Sequence, residues 1–288
     1  MTRAKACDKG QSFFLHLDGH GLLTSHVVRL SSHVVLVIAV PHTPSLIRRP
    51  RPRLSMHFAT EVAHVREAQH LRWQVYGEEL GALPNPDHPD LDIEPHDDFC
   101  QHILIRDADG MPVATYRMLL GKNSLAAGGF CLERLFDLRR ILPLRDQILE
   151  IDRGCVHKAY RGGSTFGLLY SALVQFISAN PVSYLLGAAS MSMEDGGRMA
   201  ASLYRQYQAQ HLAPPEWQAD PLVSLPLENV DVDVPGDTQS MLRGYLRMGG
   251  RLCGPPAWDQ QYNSADLLLF GSTALIPVPR SPLEKPAP

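Results

Sequence analysis

The chain has 288 residues and a formal net charge of −3, with 44% hydrophobic and 20% charged residues. This length suffices for one large domain or two small ones with a buried core, and the composition is that of a globular protein. Residues 1–55 hold eight basic and two acidic side chains, so they carry +6 and the rest of the chain carries −9. An acidic body argues against nucleic-acid binding through bulk positive charge.

The basic segment of residues 1–55 does not have the pattern of a membrane span or of a signal peptide. Its apolar run, residues 34–40, has seven residues, whereas a transmembrane helix needs about 20. Acids and histidines precede the run, unlike the start of a signal peptide. Alternating prolines in residues 47–53 exclude a regular helix. We expect a disordered leader, or translated sequence upstream of the true start; the alternative is contact with an anionic membrane surface.

The five cysteines are widely spaced and form no Cys-x-x-Cys pair. This arrangement argues against a zinc ribbon and a disulfide framework, and it fits a reducing cytosol. We therefore expect a cytoplasmic protein, free or peripheral to the inner membrane, that uses no metal ion.

The body, residues 56–276, alternates predicted helices and strands. Apolar residues at helical spacing predict a helix over residues 58–81, and the Pro- and Asp-rich residues 83–98 predict a loop. A hairpin follows, with strands over 102–106 and 112–120. Later predicted strands cover 148–156, 184–188, 222–227 and 267–270, and later predicted helices cover 164–179, 196–207 and 238–248. This order predicts one mixed α/β domain with a central sheet flanked by helices, followed by a frayed Pro-rich tail over 277–288.

The most informative stretch is residues 148–169, ILEIDRGCVHKAYRGGSTFGLL. A strand ends, a turn containing Arg161, Gly162 and Gly163 follows, and a helix begins. Adjacent glycines let a ligand approach the backbone, and a helix N-terminus presents unpaired N–H groups to an anion. The turn predicts a phosphate or pyrophosphate site, although it is neither a Walker A loop nor a GxGxxG fingerprint. The alternative is a simple tight turn.

The strand, the RGG turn and the long helix together resemble the acyl-thioester site of the GNAT acyltransferase superfamily. Further stretches resemble the ornithine lipid N-acyltransferases: VREAQHLRWQVY at 65–76, HDDFCQH at 96–102, ATYR at 114–117, EIDRGCVH at 150–157, LY at 203–204, LAPPE at 212–216, GYLRMG at 244–249 and CGPPAWD at 253–259. The similarity extends from about residue 60 to about residue 270. Acyl-homoserine-lactone synthases share only a sparser subset, namely Arg72, Tyr76, Asp98, Arg117, Glu150 and Arg153.

The resemblance implies a GNAT-like domain that binds the phosphates of coenzyme A or of carrier-protein phosphopantetheine at the turn. The pantetheine arm then follows the preceding strand. The residues implied for this arm are Val156, His157, Tyr160, Arg161, Gly162 and Gly163. The implied reaction is attack by the α-amine of L-ornithine on the thioester of a 3-hydroxyacyl carrier protein, giving lyso-ornithine lipid. No tightly bound cofactor is implied, because the acyl-phosphopantetheine thioester of acyl carrier protein is the co-substrate.

Thioester aminolysis needs a neutral amine, an acceptor for its proton and donors for the developing oxyanion. Glu150, on the strand beside the thioester arm, is the candidate acceptor or ammonium ligand. We assign Glu150 and Asp152 to opposite faces of the strand, so that only Glu150 lines the cleft. The alternative is that Glu150 forms an ion pair with Arg153 or Arg117.

Arg117 and Arg153 are predicted within strands, where an unpaired Arg would be costly to bury. Either is suited to clamp the ornithine carboxylate. The alternative is a buried structural network with Glu150 and Asp98. Arg72 and Tyr76 resemble a pair on the helix that covers the acyl cleft, and with Asp98 they are predicted to bind substrate; a surface Arg beside a core Tyr is the alternative. Cys155 is expected to be structural rather than nucleophilic.

An acidic carrier protein requires a locally basic surface on this acidic body. The candidates are one cluster of Arg134, Arg139, Arg140 and Arg145, and one helical stripe of Arg243, Arg247 and Arg251. Solvated surface is the alternative for both. Two other functions stay open: synthesis of acyl-homoserine lactones or other N-acyl amino acids on the same scaffold, and non-enzymatic binding of acyl carrier protein or a membrane surface.

Overall fold

The computed structural model describes residues 53–226 and 240–276, together with the antiparallel two-residue strands Arg29–Leu30 (β1) and His33–Val34 (β2). The chain divides into two compact units, Met1–Arg51 and Pro52–Pro288. The expectations for most of the leader, for the tail over 277–288 and for residue 227 fall outside the described residues.

The second unit is built on one mixed sheet, whose order is β10-β12-β8-β7-β5-β4-β3, with β11 paired to β12. Its strands are β3 (Ser55–Phe58), β4 (Gln101–Arg106), β5 (Pro112–Leu120), β7 (Ile148–Val156), β8 (Tyr184–Ser192), β10 (Arg251–Leu252), β11 (Ala257–Asp259) and β12 (Ser264–Ser272). A separate antiparallel pair joins β6 (Phe136–Asp137) to β9 (Asp220–Pro221). A parallel pair, β7 and β8, interrupts the otherwise antiparallel pairing.

Five α-helices surround the sheet within the described part of this unit: α1 (Val62–Trp73), α2 (Gly121–Ser124), α3 (Gly163–Ala179), α4 (Arg198–His211) and α5 (Ser240–Arg247). The π-helical turn Gln74–Glu79 extends α1. The predicted α/β class is confirmed. The first helix begins later than predicted, because residues 55–58 pair with β4 as an edge strand. The predicted strand over 222–227 is replaced by β9 and by an isolated bridge between Ser224 and Ala257.

Alternate residues of β7 face two different environments, as the period of a strand requires. Leu149 and Ile151 pack into an apolar core with Leu169 and Leu173 of α3. The opposite face carries acidic side chains toward a polar interior that contains Arg117. The sheet therefore separates an apolar layer under α3 from a charged layer near α1.

The parallel strands β7 and β8 pair only over Ile148–Ile151 and Tyr184–Gly187, and they separate beyond that point. On its other side β7 bulges against β5, where Arg153 and Gly154 together oppose Tyr116. Arg153 has a φ of 49°, and a Cβ at Gly154 would lie 2.2 Å from the Tyr116 ring. A glycine is required there because the ring fills the space.

Within residues 53–226 and 240–276, no helix combines the length and the apolarity needed to cross a bilayer.

Candidate functional site

A cavity of about 370 Å³ opens where β7 and β8 separate. Residues 151–156 of β7 form one side, and β8, β12 and the end of the first helical segment form the others. One part of the wall is apolar and consists of Val75, Leu80, Leu132, Leu135, Phe166, Leu169 and Met191. Another part is polar and includes Arg134, Asp152, Arg153, Ser190, Ser192, Glu194, Asp259, Tyr262, Ser264 and Asp266. One cavity thus offers an apolar surface next to charged groups.

Beside the cavity lies a buried network of three arginines and four acids. Arg117 donates to Asp152 from Nε at 2.8 Å and from Nη2 at 2.5 Å, to Asp97 at 2.9 Å and to Glu94 at 2.7 Å. Burial alone would raise the pKa of Glu94, but the charges of Arg153 and Arg117 lower it to about 2. These acids already accept hydrogen bonds from the Arg117 guanidinium, and Arg117 does not line the cavity. Its position fits the structural alternative rather than the carboxylate clamp.

Arg72 belongs to the same network. It is fully buried and donates to Asp92 at 2.8 Å and to Asp97 at 2.8 and 3.1 Å. The alternative of a surface arginine is therefore wrong, and Arg72 does not line the cavity. The acid that we expected in this network, Asp98, is exposed, whereas its neighbour Asp97 is buried. The 3₁₀ turn Pro95–Phe99 aims only one of the two adjacent acids inward.

Arg153 differs from the other two arginines because it lines the cavity. Its Nη2 donates to Glu94, to the Tyr262 hydroxyl and, at 3.3 Å, to Asp92. Its guanidinium stacks on the rings of Tyr262 and Tyr76, with 4.2 and 5.4 Å to the ring centroids. Its Nε is buried and has no hydrogen-bond partner among the described residues. A buried N–H without a partner is unfavourable, and an acceptor supplied by a ligand would satisfy it.

Glu150 does not line the cavity, so its predicted position is wrong. It is completely buried and accepts from the backbone N–H groups of Cys131 and Leu132, both at 2.9 Å. These contacts cap the short helix Cys131–Arg134. Burial and the charge of Asp152 raise the pKa of Glu150 to about 8, against the two N–H donors. Residues two apart in a strand share a face, so assigning Glu150 and Asp152 to opposite faces is also wrong.

The RGG turn places Gly162 at the N-cap of α3 and leaves the space around it open. A Cβ at Gly162 or Gly163 would meet no atom within 4 Å. Val156 and Arg161 line the cavity. Arg161 donates to the Val156 carbonyl at 3.0 Å and to Glu79 at 2.7 Å, which links the turn to the helical segment above it.

His157 and Tyr160, which were predicted to bind the thioester arm, make hydrogen bonds within and beside the turn. The His157 ring accepts from the Ala159 N–H at 3.3 Å. The Tyr160 hydroxyl donates to Asp107 of the neighbouring hairpin at 2.7 Å. Neither residue lines the cavity.

Tyr76 and Cys155 both line the cavity and pack in one small apolar cluster with Leu71 and Val75. The Tyr76 hydroxyl donates to the Gly154 carbonyl at 2.9 Å. Cys155 is buried, and burial raises its pKa to about 12, so it is a thiol at neutral pH. This supports the expected structural character of Cys155.

The polar wall holds residues that we did not assign to the acyl-transfer site. Tyr262 contacts Arg153, and Arg134 donates to Asp259 at 2.6 Å. Asp266 accepts from Ser264 at 2.8 Å and from Ser190. Of these, only Asp259 lies within a recognised stretch, CGPPAWD. Ser190, Ser264 and Asp266 come together because β12 pairs with β8, a contact that no local pattern indicates.

Glu94, His96 and Cys131 each place one potential metal ligand within 4.8 Å of the others. The chemistry of this donor set is unfavourable for a metal ion, because Glu94 is already paired with Arg117 and Arg153. Burial also raises the pKa of Cys131, which keeps its thiol protonated.

The two basic surfaces predicted for carrier-protein docking differ from expectation. In the first cluster, Arg134, Arg139 and Arg145 are ion-paired with Asp259, Asp137 and Glu133. In the second, Arg243 and Arg247 lie exposed on α5, but Arg251 lies on β10 rather than on the helix. Docking at either surface stays a prediction.

Comparisons with known proteins agree with this geometry. Residues 71–171 match the Acetyltransferase (GNAT) domain family. The L-ornithine N(alpha)-acyltransferase of Rhodobacter capsulatus is 29% identical over 234 residues, covering 76% of this chain and 89% of the relative. The L-ornithine N(alpha)-acyltransferase of Brucella abortus is 25% identical over 251 residues, covering 75% and 83%.

Solved structures with similar folds include FeeM, an N-acyl amino acid synthase from uncultured soil microbes. It has a TM-score of 0.48 and 9% identity, over 78% of this chain and 92% of that one. The AHL synthase LasI has a TM-score of 0.44 and 14% identity, over 77% and 91%. The GNAT domain match and the named relatives show that the chain is an acyltransferase that carries a GNAT domain and is similar to the L-ornithine N(alpha)-acyltransferases.

Proposed function

We propose that the protein transfers a 3-hydroxyacyl group from acyl carrier protein to the α-amine of L-ornithine, which gives lyso-ornithine lipid. The observation that carries the proposal is the cavity between β7 and β8, which joins an apolar wall to a buried, incompletely satisfied arginine. The names of the four relatives support ornithine as the acceptor.

The donor enters from the RGG turn in this proposal. The open backbone of Gly162 and Gly163 at the start of α3 receives the phosphate of the phosphopantetheine arm. Arg161 supplies a positive charge there after exchanging its exposed partner Glu79 for the phosphate. The arm then follows β7 from Val156 inward, and the acyl chain lies against the apolar wall.

The acceptor binds on the polar side of the same cavity. The Nε of Arg153 donates to the ornithine carboxylate and thereby gains the partner that it lacks. Asp152 lines the cavity beside Arg153 and takes the role that we first assigned to Glu150, accepting a hydrogen bond from the α-amine. Attack forms the C–N bond and breaks the C–S bond, and the proton lost by the amine ends on the departing pantetheine thiol.

The test is a product assay with purified protein. The 3-hydroxyacyl carrier protein and the matching coenzyme A thioester are each offered with ornithine, S-adenosylmethionine or other amino acids, and products are weighed by mass spectrometry. We expect N-acyl-ornithine from the carrier-protein donor. If the product is an acyl-homoserine lactone, the proposal is wrong and the protein is an acyl-homoserine-lactone synthase. If the protein binds acyl carrier protein but forms no amide product, it is a binding protein rather than an enzyme for this reaction.

A further inference from the structure

The wall of the cavity opposite β7 contains an acid whose environment differs from that of every other cavity acid. Asp266 on β12 is 4% exposed and borders the cavity. It accepts hydrogen bonds from Ser264 at 2.8 Å and from Ser190, which is its partner in the register between β12 and β8. Its position is therefore fixed by two strands, and its carboxylate is held at the cavity surface.

The other acids along the cavity are either paired or solvated. Asp152 is ion-paired with Arg117, Asp259 is ion-paired with Arg134, and Glu194 is exposed. Within residues 53–226 and 240–276, no arginine, lysine or histidine forms an ion pair with Asp266. Arg134 acts on Asp266 only at a distance, and a buried carboxylate without a directly paired cation is unfavourable unless a ligand supplies one.

The two serines do not by themselves explain a carboxylate at this position. An asparagine would accept from the same hydroxyls and would avoid the free energy of burying a charge. Burial raises the pKa of Asp266, and the serine hydroxyls and the more distant charge of Arg134 oppose that rise. An ammonium group in the cavity would favour the ionised form much more strongly.

The polar wall connects Asp266 to the arginine that we assign to the acceptor carboxylate. The Tyr262 ring stacks against Arg153, and its backbone N–H donates to Asp259 at 3.4 Å. Asp259 pairs in register with Ser264, whose hydroxyl donates to Asp266. A ligand held at Arg153 therefore has a continuous polar surface that leads to Asp266.

We propose that Asp266, oriented by Ser190 and Ser264, is the subsite for the side-chain ammonium of a diamino acid acceptor. This inference rests on the proposed function and deepens it, because it makes Asp266 the residue that selects ornithine over uncharged amino acids of the same length. Arg153 holds the carboxylate, Asp152 contacts the reacting α-amine, and Asp266 contacts the distal ammonium.

The experiment compares ornithine with norvaline, which has the same carbon chain but no side-chain amine. In the Asp266→Asn enzyme, kcat/KM for ornithine is expected to fall about 10- to 100-fold, as for loss of a charge-assisted hydrogen bond. The value for norvaline is expected to stay within about twofold, since norvaline has no ammonium to lose. Asp146→Asn, which makes the same charge change at an exposed residue outside the cavity, is the matched control.

Asp266→Glu provides a second variant, because its carboxylate reaches further into the cavity. It is expected to retain a preference for charged acceptors and to shift it toward the shorter 2,4-diaminobutyrate. Thermal unfolding of all variants shows whether each one folds.

The outcomes separate this inference from the proposed function. An Asp266→Asn enzyme that keeps the wild-type ratio of ornithine to norvaline would overturn the subsite while the acyltransfer reaction stands. Absence of N-acylated product from any amino acid with wild-type protein would overturn the proposed function. In that case calorimetric binding of ornithine and norvaline to wild type and to Asp266→Asn still decides whether Asp266 holds the ammonium.

Discussion

The hydroxyl of Tyr76 donates a hydrogen bond of 2.9 Å to the carbonyl of Gly154. This contact ties the π-helical turn after α1 to the bulge that β7 forms against β5, just past the point where β7 stops pairing with β8. Both residues line the cavity, so the position of the helical segment that carries Tyr76 depends on the bulge.

Tyr76→Phe removes this hydroxyl and leaves the Gly154 carbonyl without its donor. We expect a loss of about 1 to 2 kcal/mol in the free energy of unfolding, measured in urea, and a lower kcat/KM. Tyr207→Phe is the control, because its ring is held in a tilted contact with His211 and no partner of its hydroxyl is found among the described residues. Equal free energies of unfolding for Tyr76→Phe and Tyr207→Phe would show that the hydrogen bond between Tyr76 and Gly154 does not stabilise the fold.

Arg153 and Arg117 are expected to respond differently to replacement by lysine. Arg153→Lys removes the Nε donor, so KM for ornithine should rise about tenfold or more. Arg117→Lys breaks contacts to three buried or half-buried acids and should lower stability by about 3 kcal/mol or more.

Steady-state kinetics and denaturant unfolding of both variants check this division. A rise in KM for ornithine in a stable Arg117→Lys enzyme, with Arg153→Lys unchanged, would reverse the two roles.

Glu150→Gln should remove one contribution to the pH dependence of the unfolding free energy and should leave turnover unchanged. The pKa of Glu150 is raised from 4.5 to about 8 by burial and by Asp152. The folded protein therefore keeps a proton that the unfolded chain loses as pH rises above 4.5. The stabilisation from this residue is complete below pH 4.5 and is lost as pH rises toward 8, with a slope of at most about 1.4 kcal/mol per pH unit.

The measurement is the difference in unfolding free energy between wild type and Glu150→Gln from pH 4 to 9, which should decline across that window. Glu216→Gln, at an exposed residue, serves as the control without such a decline. Loss of turnover in a folded Glu150→Gln enzyme would restore a catalytic role for Glu150.

Arg161 and Glu79 should have opposite effects on donor binding. Arg161→Gln removes the charge beside the RGG turn, and KM for the acyl donor should rise about tenfold, as for loss of a charge-assisted contact. Glu79→Gln releases Arg161 and should lower that KM. Both effects should shrink at high salt, because the pair is partly exposed. If KM for the acyl donor is unchanged in Arg161→Gln, the RGG turn is not part of the donor site.

Local patterns predicted most of the helices and strands, because their periods are local properties of the chain. The helix α3 and the strand β7 have the predicted bounds within a residue or two. The first helix was extended too far at its start because β3 forms only by pairing with β4. The Pro- and Asp-rich stretch was predicted only as a loop, whereas its side chains Asp92, Glu94 and Asp97 reach the buried arginines.

The sequence by itself determined that the chain is an α/β acyltransferase with an RGG turn, since those features reside in contiguous residues and in recognisable motifs. Only the tertiary structure decided which charged residues reach the cavity. In the structure Asp152, Tyr262 and Asp266 line the cavity, whereas Glu150 and Arg117 do not. The physical reason is that the cavity forms where β7 leaves β8 and where β12 closes the far side, and strand order is set by contacts between residues distant in sequence.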